Sequence, residues 1–120
     1  MKSITVLLLF TLFGTALFAQ EKETITSNKE VVTDTIPVSG VCGMCQERIQ
    51  EAAYIKGVKK ATWDKHAQSI VVTYRADKTT TLDIQQAIAA VGHDTRDVKA
   101  TEKAYGSLPG CCKYHEVEVH

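Results

Sequence analysis

Two segments whose apolar residues recur at helical spacing, residues 44–56 and 80–91, flank two segments that read as strands, and this alternation leaves the chain few ways to fold. In the first, Ile49, Ala52, Ala53 and the alkyl stem of Lys56 share a face, and Gly57 supplies the stop. In the second, Ile84, Ala87, Ile88 and Val91 fall at i, i+3, i+4 and i+7, with Thr80 and Asp83 as a capping pair in front and Gly92 behind. Between them, 58–64 carries Val58, Ala61 and Trp63, while 69–75 alternates Ile70, Val72 and Tyr74 with Val71 and Thr73. The four residues between these strands are a hairpin loop. Ile36, Val38 and Val41 form a strand-like run starting near Asp34, with Pro37 tolerated at an edge. A last short strand is expected from 95 to 99.

The order β-α-β-β-α-β over residues 34–100 predicts an α+β, ferredoxin-like domain: a four-stranded antiparallel sheet with two helices on one face. A core of this size is marginal by itself, and a bound ligand adds stability by mass action.

The flanks read differently. Lys2 is followed by an uncharged, Leu- and Phe-rich run to Ala19, the pattern of a signal peptide over 1–19. The run is shorter than the roughly 20 residues of a spanning helix; an uncleaved anchor is the alternative. No cysteine follows it, which argues against a lipid anchor. Residues 20–33 are polar and read as a flexible linker, and 101–120 form a C-terminal tail outside the domain. Export across the inner membrane, to a periplasmic location and with no stable membrane insertion after cleavage, is the expectation. The chain balances 14 basic against 14 acidic residues, 13 against 14 once Lys2 is removed, and has no basic patch with interleaved aromatics. Nucleic acid is therefore excluded as a partner class, and a monomer is expected.

Export makes four cysteines candidates for disulfides, with three pairings open. Their spacing is unusual for a framework: Cys42 with Cys45, then adjacent Cys111 and Cys112. The pair in "SGVCGMCQERIQ" falls where a strand turns into a helix, and the predicted plan places it at an exposed tip beside Gly92, His93 and Asp94. Cys45 in the first helical turn, with Arg48 one turn on, favours thiolate, and both sulfurs are expected to be reactive. Thiolates select soft ions. Two sulfurs do not complete the tetrahedral shell of structural zinc, so Cu(I) is the better match.

These residues resemble the heavy-metal-associated domain family, which includes copper chaperones, N-terminal modules of heavy-metal-transporting ATPases and periplasmic mercury-binding proteins. The resemblance spans about residues 34–100. It rests on the C-x-x-C at the strand-to-helix turn, Gly57-Val58, the "IVVTY" strand and the cadence of "IQQAIAAVGHDT". It implies that Cys42 and Cys45 are metal ligands for Cu(I), with Hg(II) or Zn(II) as further candidates. It also implies a heavy-metal-transporting ATPase or another metal-binding protein as partner. The family pattern has Gly-Met-Thr before the first ligand, where this chain has Ser39, Gly40 and Val41. The methionine that packs beneath the family's loop is missing, and Met44 is expected to face solvent.

His93 stands where some bacterial copper chaperones carry a histidine. It reads either as a solvated or hydrogen-bonded loop residue or as an accessory ligand. Cys111 and Cys112 read either as further metal or redox sulfurs or as a structural bridge. His66, His115 and His120 are read as surface residues. The function expected is a non-enzymic, exported binder that transfers or sequesters a soft ion by thiolate ligand exchange. The alternatives are a thiol-disulfide oxidoreductase using "CGMC", against which stands the element order, and a small secreted domain with both pairs oxidised.

Overall fold

The computed structural model describes residues 30–120. The expected signal peptide and residues 20–29 of the expected linker lie outside them. Strand β1 spans Val31–Pro37, helix α1 Gly43–Ala53, β2 Val58–Asp64, β3 Ser69–Arg75, α2 Thr81–Ala90 and α3 Glu102–Gly106. β1 thus begins three residues ahead of Asp34, inside what the composition marks as linker.

The sheet has three strands in the order β1-β3-β2, both pairings antiparallel. Register follows the alternation of β3: Ile70 stands opposite Ile36 on one side and Trp63 on the other, and Val72 opposite Ala61. These side chains form one buried cluster with Ile49 of α1 and Ile84 and Ile88 of α2. Both helices therefore cover a single face. In α1 the buried residues are Cys45, Ile49 and Ala53, one per turn. Three polar contacts, two from α1 and one from Tyr54 just beyond it, fix this helix against β2. Gln50 accepts the Trp63 amide at 2.9 Å, Gln46 donates to the Trp63 carbonyl at 3.1 Å, and the Tyr54 hydroxyl accepts the Ala61 amide at 3.1 Å.

The expected fourth strand is not formed. Thr95 makes one antiparallel bridge to Val38, and the chain then turns away. The cause is Gln85, fully buried on α2 where the helical spacing pointed to Val91, which is 37% exposed. Its Oε1 accepts from the Asp97 amide at 2.7 Å and from the Thr95 hydroxyl at 3.0 Å, and its Nε2 donates to Asp97 at 3.1 Å. The Thr95 amide closes the turn onto the Val98 carbonyl at 2.8 Å. Polar groups that a strand would offer a sheet edge are thus satisfied locally.

The segment after residue 100 is part of the domain and not a separate tail. Thr101 caps α3 by accepting the Ala104 amide at 3.0 Å, and a 3-10 turn follows at Gly110–Cys112. Leu108 and Cys112 enter the core cluster. Gly92 makes this approach feasible: its φ is +107°, and a Cβ there would stand 2.9 Å from both the Ala104 carbonyl oxygen and Leu108 Cδ2.

Candidate metal centre

Cys42 is the residue before α1, in extended conformation, and Cys45 lies in its first turn. That step from strand geometry to helix brings the two sulfurs to 3.6 Å. This is well beyond the roughly 2.05 Å of a disulfide, and all four cysteines are free thiols.

Tight anchoring holds the loop before Cys42. Gln68, at the left-handed position of the β2–β3 hairpin, accepts the Gly40 amide at 3.1 Å and donates to the Gly40 carbonyl at 2.8 Å. Trp63 occupies the space beside Gly40, where an added Cβ would meet its ring at 2.8 Å. The indole N–H donates to the Val38 carbonyl at 3.0 Å. A tryptophan from β2 thus packs against this loop, and glycine at 40 leaves it room.

The expected exposed tip is covered. Cys45 is 0% and Cys42 7% exposed, because Cys45 lies on the core-facing side of α1 with Ile49 and Ala53, and the C-terminal segment stands against Cys42. Cys112, also 0% exposed, places its sulfur 3.6 Å from that of Cys42. The donor atoms of Cys42, Cys45 and Cys112 all lie within 4.8 Å of one another. Three sulfurs each about 2.3 Å from one ion would stand about 4.0 Å apart in a trigonal plane. The observed spacing is close to that, so the donor set fits a soft, three-coordinate ion.

Cys111 stays at the surface. Its sulfur lies 3.6 Å from the sulfur of Met44, which is half-exposed, and its carbonyl oxygen 3.6 Å from the Cys42 sulfur. His93 is fully buried and is no solvated loop residue. Its Nδ1 donates to the Ser39 carbonyl at 2.8 Å, its ring stacks on Tyr114, and its Nε2 has no hydrogen-bond partner. It is not among the three clustered donors. Desolvation favours the neutral imidazole and lowers its pKa, partly opposed by the Ser39 contact. His115 is a surface residue as expected, with its Nε2 3.4 Å from Asp94 Oδ2 and its ring stacked on Tyr105.

The thiols of the first pair are unequal. Burial pushes Cys42 up, but the Cys45 amide, the Cys45 and Cys112 thiols and the Met44 amide together outweigh it and bring its pKa to about 7. Burial dominates at Cys45 and raises it to about 12, against the expectation that its place in the helix would make it the thiolate. Arg48 is directed elsewhere too: its Nη1 lies 3.3 Å from the Cys112 sulfur. Arg48, Tyr114, Gln68 and Trp63 therefore shape the site, and of these only Arg48 carried a signal in the sequence.

The docked segment is held by few but specific bonds. Tyr114 donates its hydroxyl to the Gly92 carbonyl at 2.7 Å and accepts the Asp94 amide at 3.0 Å. The His120 amide donates to the Val41 carbonyl at 2.8 Å.

No family model and no curated protein sequence matches the chain. Solved structures do. The chain is similar to the CopZ metallochaperone, with 25% identity and a TM-score of 0.52 over 54% of this chain and 100% of that one. It is similar to oxidised MerP from Ralstonia metallidurans, with 26% identity and a TM-score of 0.53 over 56% and 96%. It is also similar to the water-soluble region of the P-type ATPase CopA from Bacillus subtilis, with 28% identity and a TM-score of 0.52 over 56% and 46%.

Proposed function

We propose, from the premise that the chain belongs to a heavy-metal-associated-like family, that it is a non-enzymic metal-binding protein which takes up a soft ion at Cys42 and Cys45 and passes it on by thiolate exchange. The observation that carries this reading is the convergence of buried sulfurs at the start of α1. Cu(I) is the ion assigned, because it accepts the low, all-sulfur coordination offered; Hg(II) and Zn(II) are the competitors. One similar structure is a metallochaperone and another a region of a P-type ATPase, which supports a metal-transporting ATPase or a second metal-binding protein as partner. Export to the periplasm and action as a monomer complete the proposal.

Anaerobic titration of the reduced chain with Cu(I) tests it. About one equivalent should bind, and the Cys42→Ser, Cys45→Ser variant should lose that binding while keeping its circular dichroism. Unchanged stoichiometry and affinity in the variant would reject the assignment.

The unequal thiols favour one second reading. A depressed first cysteine and a protonated, buried second one are the features of a C-x-x-C redox pair. Insulin reduction separates the two, since sustained turnover would place disulfide exchange ahead of metal transfer.

A further inference from the structure

We propose that the adjacent cysteines of the C-terminal segment play separate parts, with Cys112 as the third ligand of the buried site and Cys111, together with Met44, as an outer landing site through which the ion enters and leaves. This deepens the metal-binding reading and rests on it.

Two observations carry the inner assignment. The Cys112 sulfur stands as close to Cys42 as Cys45 does, 3.6 Å in each case. The Arg48 guanidinium at 3.3 Å places a positive charge beside that third sulfur. Three thiolates around a monovalent ion carry excess negative charge, which a buried site tolerates only with a cation beside it.

The outer assignment follows from burial. With Cys42, Cys45 and Cys112 all nearly or wholly inaccessible, an incoming complex cannot reach them directly. Cys111 is exposed, and its sulfur and that of Met44 present a thiol and a thioether 3.6 Å apart on the surface. Both donors are soft, and the thioether favours Cu(I) over zinc. The Cys111 carbonyl touches the Cys42 sulfur, so the landing site adjoins the interior one.

Transfer then proceeds by exchange. Each step forms one metal–sulfur bond and breaks one; an entering thiol releases its proton to solvent and a departing thiolate takes one back. No electron moves, and no oxidant or reductant is needed. Release reverses the order: Cys111 binds the ion as Cys112 leaves, and an acceptor thiolate then replaces the outer donors at the surface.

The test uses the reduced full chain with Cu(I) supplied as its glutathione complex. X-ray absorption should count three sulfur neighbours in the unaltered chain and two in Cys112→Ala. The Cys111→Ser, Met44→Leu variant should keep three neighbours and its affinity against a chromophoric Cu(I) chelator, but load about tenfold more slowly in stopped flow. Two neighbours in the unaltered chain would overturn the inner ligand whatever the variants do. An unchanged loading rate would overturn the landing site. Failure of the unaltered chain to bind Cu(I) at all would instead overturn the underlying reading.

Discussion

The Cys112 sulfur lies 3.6 Å from the Cys42 sulfur although 70 positions separate them. Closing so long a loop is less demanding than it looks, because the entropic penalty rises by only about 0.6 kcal/mol per doubling of length. The bonds of Tyr114 and the burial of Leu108 are enough to offset an increment of that size. The site is thus assembled by tertiary docking and not by the C-x-x-C turn alone.

Gly92 is the position on which that docking is most easily tested. Gly92→Ala should destabilise the fold by about 1–3 kcal/mol, since its φ of +107° strains any other residue and the added methyl meets Leu108. Mass spectrometry after brief alkylation should find Cys42 labelled faster than in the unaltered chain. A variant with an unchanged melting temperature and a still-protected Cys42 would show that the segment does not cover the site this way.

Alkylation against pH should separate the cysteines of the first pair. With its pKa at about 7, Cys42 is half thiolate near neutrality, whereas Cys45, at about 12, stays protonated throughout the accessible range. Labelling of Cys42 should therefore rise through neutral pH and level off above it. Preferential labelling of Cys45 at neutral pH would contradict the environment described for both.

His93 predicts an acid-side slope. Burial lowers its pKa below the ordinary 6.5, so between those two values the unfolded chain binds the proton that the folded one does not. Stability must fall as pH falls through that window. His93→Phe, which keeps a ring against Tyr114, should flatten the slope on the acid side of neutrality in denaturant titrations. An identical slope in the variant would assign the acid sensitivity to other groups.

Gln85→Leu should cost about 2–3 kcal/mol, because it leaves the Asp97 amide and the Thr95 hydroxyl without their shared acceptor. Chemical denaturation measures the loss, and hydrogen exchange should rise at Asp97. If the variant is as stable as the parent, the turn at 95–98 is held by something else.

Local signals in the sequence were dependable. Val58–Asp64 and Ser69–Arg75 occur as the alternation and the intervening loop indicate, and Thr80 accepts the Asp83 amide at 3.1 Å as the capping pair requires. Such features involve neighbours a few positions apart. Contacts across the fold were not legible. A glutamine on a helix face carries no mark that it will capture a distant turn, so a fourth strand was expected where Gln85 prevents one. The convergence of Cys42 and Cys45 could be read from their spacing, but the cover against Cys42 depends on Leu108, Tyr114 and Gly92, which meet only after the segment folds back. α1 ends at Ala53, short of Lys56, for a related reason: Tyr54 leaves the helix and uses its hydroxyl to accept the Ala61 amide of β2.

Trp63 is the sole tryptophan of the chain and its indole rests against Gly40, two residues before the first cysteine. Its emission is therefore a built-in optical probe of this one neighbourhood. A heavy ion arriving there should quench it, and the intensity of an unlabelled sample would follow loading and discharge in real time.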